Sequence, residues 1–474
     1  MKNKIKFIIF ILKSFLLLST NVSGVEQFNF DITEVEITEK GNVFSGYKRG
    51  TITVDNGIKI EADEFNYDKI SNILKTKGKV KVLDEINEYV IYSDEIIYLK
   101  NEEKIFTYGN SKAINLNTKI TAVEFEYDKN QNIIKAKKKI KIEDEKDDII
   151  ILAEEIVYKK NIENIFARGN AEAKIQSKYN FISKNVYLNR NIMELSSNNI
   201  TKIYDDNFNF YQLDNFKYFK KEGLLKGNNV KITTNINNTE LSDVFTFDNG
   251  FFNLKQNNFK ASKTKVLMHK NLFGNQENDP RLNGVSSFKK DEITQINKGI
   301  FTSCNKKHDD CPPWVIEAKK IKHDKNKKQL IYDNALLKIY NFPVVYFPKF
   351  FHPDPSVERQ SGILVPILNE SQILGSSIQI PYFHVLSKKE DITIRPNIFD
   401  NHIFMLQNEY RKKTEYSSLL ADFGFTKGYK SSLSNKKKNI SHLFAKYKLD
   451  LNLNDFISSN LDLDLQKVTN DTYL

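Results

Sequence analysis

Apolar and polar residues alternate with period two along much of this chain, and the alternation returns in units of roughly thirty residues across positions 58–233. Such alternation is typical of a strand with one apolar face and one solvated face. The solvated face carries mainly Lys, Asp, Glu and Asn. In the four clearest units the other face consists of Leu74, Thr76, Gly78, Val80 and Val82; Ile105, Thr107, Gly109, Ser111 and Ala113; Ile134, Ala136, Lys138, Ile140 and Ile142; and Ile165, Ala167, Gly169, Ala171 and Ala173.

A short acidic and aromatic string marks each unit. We predict that each unit is two short strands joined by a polar turn such as residues 68–72. One unit cannot bury its apolar edge alone, so a repeat of this length predicts stacked units with a continuous interior. The strings occupy residues 62–67, 93–98, 122–127 and 153–158 and, more weakly, 183–188 and 213–218.

The predicted interior is apolar and carries few charges. Two interpretations fit these residues: a closed, fully packed core, or a trough that holds the apolar tails of a lipid. The pattern leaves the choice between them open. The residues that we expect to line the interior are Phe65, Ile96, Phe125, Ile156, Val186, Phe216, Val80 and Ile140.

The pattern changes after Gly362, where longer alternating runs are separated by charged or Gly/Asn-rich turns. Runs of this length favour the wall of an outer-membrane β-barrel over a soluble sandwich. Only about six or seven such strands fit before the last residue, and an open sheet cannot sit in hydrocarbon. We therefore expect the sequence to be the front part of a longer protein. Clear runs are Ile392, Ile394 and Ile398; Leu449, Leu451 and Leu453; and Leu461, Leu463 and Leu465.

Residues 1–24 have the features of a secretory signal peptide. A lysine-rich start is followed by an apolar stretch over 7–18 and by small residues at 22–24. A membrane anchor is the weaker interpretation, because the apolar stretch is short and Lys13 interrupts it. We expect export from the cytoplasm.

Composition narrows the function classes. The chain has 474 residues, 28% of them charged, and a net charge of +11. A basic excess favours phosphates or anionic lipid as partners, although a general bias toward Lys, Asn and Ile explains it as well. The lysines are spread among acids and no basic-aromatic motif is present, so we expect no nucleic-acid partner.

The sequence shows no nucleophile motif, phosphate loop or zinc-protease string, and its histidines are scattered. We therefore expect no enzyme and no cofactor. Acidic pairs such as Asp63-Glu64 and Glu154-Glu155 suggest glycosidase carboxylates at first sight. Because neighbours in a strand point to opposite faces, solvated or turn positions explain these pairs better. A secreted β-solenoid polysaccharide lyase is the enzyme alternative.

Residues 301–361 have a different composition and contain most of the prolines, which indicates extended, kinked backbone at a boundary. Cys304 and Cys311 lie here and are the disulfide candidates. Export makes a disulfide chemically available to them. His308 lies between the two cysteines, but three clustered candidates lack a fourth ligand, so we expect no metal.

The segment Arg359-Gln360-Ser361-Gly362-Ile363-Leu364-Val365-Pro366 resembles the barrel start of the LPS-assembly outer-membrane family, LptD, also called the organic solvent tolerance or OstA-like family. Residues 301–304, 313–314 and 343–348 are similar to the junction of that family, and the repeats resemble its periplasmic β-jellyroll. The resemblance implies a periplasmic β-jellyroll over 25–300, a junction over 301–361 and a partial outer-membrane barrel over 362–474.

The resemblance also implies lipopolysaccharide transport and insertion into the outer leaflet of the outer membrane. Acyl chains would ride in the apolar groove and leave through a lateral opening in the barrel. Pro366 and Pro381 match the gate prolines of the family in position and spacing. The implied partners are lipopolysaccharide, a lipoprotein plug similar to LptE and a periplasmic bridge protein similar to LptA.

Two points stay open beside this resemblance. Family members form disulfides between jellyroll-side cysteines and cysteines far downstream, so Cys304 and Cys311 either pair locally or pair with such partners. The competing function is a soluble periplasmic lipid bridge made of repeats alone. The alternating runs after Gly362 argue against that bridge.

Overall fold

The computed structural model describes residues 28–273, 277–305, 312–353, 357, 359–371, 375–400, 402–431, 434–454 and 457–469. The described chain is built of β-strands with short 3₁₀ turns, which confirms the all-β prediction. It divides into two compact units. Of the described residues, the first holds those within 28–291, 296–317 and 338–342, and the second holds those within 292–295, 318–337 and 343–469.

The strands up to the boundary segment are β1 (Asn29–Asp31), β2 (Glu34–Thr38), β3 (Val43–Tyr47), β4 (Gly50–Val54), β5 (Ile58–Ala62), β6 (Glu64–Asp68), β7 (Ile73–Asp84), β8 (Tyr89–Leu99), β9 (Lys104–Asn115), β10 (Thr118–Asp128), β11 (Ile133–Asp144), β12 (Ile149–Lys159), β13 (Asn164–Ile175), β14 (Tyr179–Asn189), β15 (Glu194–Ser197), β16 (Thr201–Asp205), β17 (Phe210–Leu213), β18 (Asn215–Phe219), β19 (Leu224–Thr233), β20 (Val244–Asn253), β21 (Asn258–Leu267), β22 (Arg281–Lys290), β23 (Ile293–Thr302), β24 (Trp314–Asp324), β25 (Gln329–Ile339) and β26 (Phe342–Pro353).

The later strands are β27 (Gly362–Ile363), β28 (Ile367–Ser371), β29 (Gly375–Gln379), β30 (Tyr382–Ser387), β31 (Glu390–Phe399), β32 (Phe404–Lys413), β33 (Ser417–Ser431), β34 (Ser434–Asp450) and β35 (Asn460–Val468). The 3₁₀ turns are Glu39–Gly41, Lys100–Glu102, Lys160–Ile162, Thr239–Leu241 and Lys270–Phe273. Among the described residues no helix is long and apolar enough to cross a bilayer.

In the first unit, consecutive long strands pair antiparallel from β7 to β14, in register with the sequence repeat. The expectation of two short strands per unit is wrong in one respect. Each unit is two long strands, and each strand is interrupted at its midpoint by a register shift, as between Lys77 and Val80. The extra residues bend the strand, as β-bulges do.

The bends also correct the predicted inward face. Gly78, Gly109 and Gly169 were expected on that face but occupy the bends, where their φ angles are +81°, +76° and +80°. Lys138 takes the same place in the third unit with φ +66° and is exposed. Glycine reaches this region without a Cβ penalty. The alternation on either side of each bend is as predicted, so the apolar side chains of both halves point into one interior.

That interior is one hydrophobic cluster, and it contains every predicted lining residue. Buried tyrosines close it toward the turns, including Tyr98, Tyr127, Tyr158 and Tyr218. Burial of apolar surface on this scale is the main source of stability for stacked units.

In the second unit, the strands from β30 to β35 pair in sequence order as an antiparallel meander. One face of this sheet is polar and holds Asp391, which is buried and paired with Arg359 and Arg411. The opposite face is apolar and exposed. Its exposed residues include Ile363, Leu368, Ile378, Tyr382, Ile398, Phe404, Phe423, Phe425, Leu443, Leu461, Leu463 and Leu465.

Candidate functional site

The predicted lining residues meet inside the first unit. They come from successive strands and all point into the same cluster. No member of the set exposes more than 3% of its surface. The interior is therefore apolar and closed to solvent in this structure, and a lipid tail could enter only where its wall can part. The set is Phe65, Val80, Ile96, Phe125, Ile140, Ile156, Val186 and Phe216.

One side of the interior is closed by the bends of the long strands, which we call the corner edge. Here the chain itself is continuous from one wall to the other. The acidic pairs lie at this edge: Asp63 and Glu154 pack over Gly78 and Gly169, within 3 Å of where a Cβ would stand. The acidic pairs therefore support the bends, as expected for turn positions.

The opposite side is closed by two rows of hairpin turns, which together we call the turn seam. The first row, the basic row, carries one cation at the start of each turn. Each turn stacks on the previous one through the main chain, as when Lys129 donates to Glu103 O at 3.0 Å and Arg190 to Glu163 O at 2.9 Å. The cations are Lys69, Lys100, Lys129, Lys160, Arg190 and Lys220.

The second row, the acidic row, faces the first. Its turns also stack through the main chain, with Glu85 donating to Gly57 O at 3.1 Å and Gln176 to Asp148 O at 2.9 Å. The first row is thus a continuous main-chain ladder, and in the second row the Asn115 amide also links neighbouring turns by donating to Asn87 O and Glu88 O. The carboxylates of this row include Asp55, Asp84, Asp144, Asp147 and Asp205.

Contacts from one row to the other are made by side chains. The Lys129 ammonium donates to Asn56 O at 2.5 Å. Arg190 donates to Asp144 at 2.5 Å, and the Lys220 ammonium lies 3.1 Å from Asp147. The turn seam is therefore the side of the interior that can part without breaking a strand.

Neutral side chains join the same seam. The Tyr127 hydroxyl donates to Asp84 Oδ2 at 2.6 Å and accepts from Asn87 at 2.9 Å. Asn132 reaches Asn87 at 3.1 Å. Burial, and next the hydrogen bond to Asp84, raises the pKa of Tyr127 far above its ordinary value. This hydroxyl therefore stays protonated and keeps donating at any physiological pH.

Arg190 stands at the centre of a charged cluster in the seam. It donates to Glu163 at 2.8 Å and to the Tyr158 hydroxyl at 2.8 Å, besides Asp144. Burial works against ionisation of Glu163, but hydrogen bonds from Lys160 and Tyr158 and the charge of Arg190 outweigh it and lower the pKa of this carboxyl. Glu163 is therefore ionised at neutral pH.

Sequence reasoning missed the basic row. Its signal is present in the sequence as a Lys or Arg at the first turn position of successive units. Lysine is so frequent in the chain that this spacing did not stand out, and only the stacking of the turns shows that these cations form one row.

The predicted gate prolines lie in the second unit, at interruptions between strands β27 and β30. Pro366 is exposed between β27 and β28, and Pro381 is buried between β29 and β30. Leu364 donates to Pro381 O at 2.8 Å, but Pro381 has no N–H to return the bond. Sequence reasoning did not single out Pro396 in β31. Its carbonyl oxygen accepts a hydrogen bond from Ile380 N at 3.2 Å, and Pro396 likewise has no N–H to return the bond.

The disulfide candidates are only partly described. Cys304 is half-buried, and its thiol lies 3.9 Å from Trp314 O. Cys311 and His308 lie outside the described residues, so their pairing stays a prediction. In the described part of the chain, no group of three or more His, Cys, Asp and Glu side chains is placed to hold a metal ion.

Comparison with known proteins gives partial and distant matches. No family model matches the chain. It is 31% identical over 123 residues to the LPS-assembly protein LptD of Legionella pneumophila, covering 26% of this chain and 14% of the relative. The LptD of Shewanella oneidensis is 32% identical over 124 residues, which cover 25% of this chain and 16% of the relative. The LptD of Idiomarina loihiensis is 22% identical over 236 residues, which cover 49% of this chain and 30% of the relative.

The matches thus span at most 30% of the length of these relatives. Among solved structures, the LptA-homologous periplasmic component LptH of the lipopolysaccharide transport device of Pseudomonas aeruginosa aligns with a TM-score of 0.22 at 15% identity. That alignment covers 23% of this chain and 82% of LptH. A TM-score this low supports no argument.

Proposed function

We propose that this chain takes part in lipopolysaccharide transport to the outer membrane, with acyl chains carried inside the first unit and released through a lateral opening in the second. The partial similarity to LPS-assembly proteins supports the substrate class. The observation that carries the mechanism is the turn seam, because it closes an apolar interior with side-chain contacts between its two rows.

The free energy of burying an acyl chain, set against that of breaking the cross-seam bonds, favours entry of a lipid tail through the seam. Opening it exchanges side-chain bonds to charged groups for bonds to water, at about 1.5–3 kcal/mol for each bond. Burying an acyl chain recovers about 0.8 kcal/mol per CH₂, so a chain of about twelve carbons gains on the order of 9 kcal/mol. One tail therefore offsets the loss of several cross-seam bonds.

The exposed apolar face of the second unit supports a place in the outer membrane. Residues such as Phe423, Leu443 and Leu463 are between 37% and 54% exposed, while the opposite face holds charged pairs such as Arg395 with Glu409. An outer-membrane wall has this division, with apolar side chains toward lipid and polar ones toward the lumen.

The remaining parts of the proposal follow from the same transport role. Residues 1–24 act as the signal peptide, residues 25–300 as the periplasmic jellyroll, 301–361 as the junction and 362–474 as part of the barrel. Pro366 and Pro381 mark the lateral gate, where missing donors weaken the ladder. The partners are a bridge protein similar to LptA, which supplies the lipid, and a lipoprotein plug similar to LptE.

A photocrosslinking amino acid tests the interior. Placed at Phe125 or Ile156, it should capture lipopolysaccharide in cells, whereas the same probe at Lys137, on the solvated face of β11, should not. Capture at Lys137 alone would show that the lipid does not enter. Membrane fractionation of the full-length protein tests its location: recovery in the soluble periplasm would favour the lipid-bridge alternative.

A further inference from the structure

The basic row places its cations along the turn seam, at the edge of the apolar interior. Lys100, Lys160, Arg190 and Lys220 expose only 12–20% of their side chains. Their main chains are fixed by the stacking of the turns, so their spacing is set by the sheet. Successive cations are two strands apart, which is about 10 Å at the usual strand spacing.

Opening the seam removes the partners that these cations have in the acidic row. Arg190 loses Asp144, Lys220 loses Asp147 and Lys129 loses Asn56 O, because these partners belong to the acidic row. The loss of a carboxylate partner by a cation at the edge of an apolar interior is costly. An anion that arrives with the lipid tail can replace the lost carboxylates, and phosphate suits Lys and Arg well.

Resting on the proposed function, we propose that Lys129, Arg190 and Lys220 of the basic row bind phosphate groups at the junction between the head group and the acyl chains of the transported lipid. While the interior is empty, Asp144 and Asp147 of the acidic row hold Arg190 and Lys220, and the main-chain oxygen of Asn56 holds Lys129. The row thus selects phosphorylated amphiphiles over neutral ones, because a neutral lipid would open the seam without replacing its ion pairs.

The test measures binding of labelled lipid A by the full chain in nonionic detergent, with the bisphosphorylated lipid and its dephosphorylated form as probes. Lys129→Gln and Lys220→Gln should each weaken binding of the bisphosphorylated form about tenfold, the loss of one charge-assisted contact. Neither variant should weaken binding of the dephosphorylated form. Lys139→Gln, an equal charge change on the exposed corner edge, should leave both affinities as they are.

A change at Asp147, the partner of Lys220, distinguishes phosphate binding by Lys220 from a purely structural role. Asp147→Asn frees the Lys220 ammonium and should tighten binding of the bisphosphorylated lipid several-fold more than that of the dephosphorylated form, whereas an ion pair that only closes the seam predicts the same gain for both lipids. Equal binding of both lipids by the parent chain and all variants would overturn the phosphate proposal and leave the transport proposal standing. Failure of the parent chain to bind either lipid would overturn the transport proposal itself.

Discussion

Arg190 and Asp144 are 46 residues apart in sequence and are joined across the turn seam at 2.5 Å, with side chains only 15% and 4% exposed. Arg190 belongs to the row of turns that carries cations, and Asp144 to the row that carries carboxylates. The pair shows that the two walls of the interior are joined, at this edge, by side chains.

A tether across the seam should block lipid entry. Asn87 and Asn132 lie in opposite rows with amides 3.1 Å apart. In a background without the native cysteines, Asn87→Cys with Asn132→Cys, joined by a short bismaleimide, should abolish lipid crosslinking at Phe125. Asn132 and Asn161 lie in the same row, with their side-chain amides 3.2 Å apart. As the control, tethering cysteines at these two positions should leave crosslinking intact. Equal capture by both tethered proteins would place the entrance elsewhere.

Tyr127→Phe should destabilise the first unit. The change removes the hydroxyl from Asp84 and Asn87 and leaves a buried carboxylate oxygen short of a donor. We expect a loss of about 1–3 kcal/mol in the free energy of unfolding, measured by urea titration with circular dichroism. Tyr92→Phe, whose ring is 39% exposed, is the matched control and should change little.

Gly169→Ala should destabilise the corner edge. Its φ is +80°, and a Cβ would stand 2.7 Å from Glu154 Cβ. Gly41 has φ +92° with nothing within 4 Å, so Gly41→Ala carries the backbone strain without the clash. Gly169→Ala should lower the thermal midpoint more, by the equivalent of at least about 1 kcal/mol. Equal effects would mean that Glu154 moves aside freely.

Restoring backbone donors should strengthen the pairing of the strands from β27 to β31 in the second unit. Pro381→Ala and Pro396→Ala each supply an N–H opposite the carbonyls of Leu364 and Ile380. Each new bond should stabilise the ladder by about 1 kcal/mol. Hydrogen exchange by mass spectrometry should show the new amides protected as well as those of Leu364 and Ile380. Rapid exchange would show that the strands are parted here regardless of proline.

The sequence alone determined the all-β class and the buried residues of the repeats, but not the length of the strands. Period-2 alternation identified Phe65, Ile96 and Phe125 as interior side chains, because burial of one face leaves its mark on every second position. The repeat length predicted stacking, because one unit cannot bury its apolar edge alone. The bends at Gly78 and its equivalents escaped notice, since each bend keeps the alternation on both sides in phase.

Only the tertiary structure decided which turns face each other. Lys129 and Asn56 are 73 residues apart, as are Lys220 and Asp147. Their pairing depends on how the stacked strands bring two rows of turns together, and no local pattern encodes that. Lysines and aspartates occur throughout the chain, so only their positions in space distinguish the seam from the rest of the solvated surface.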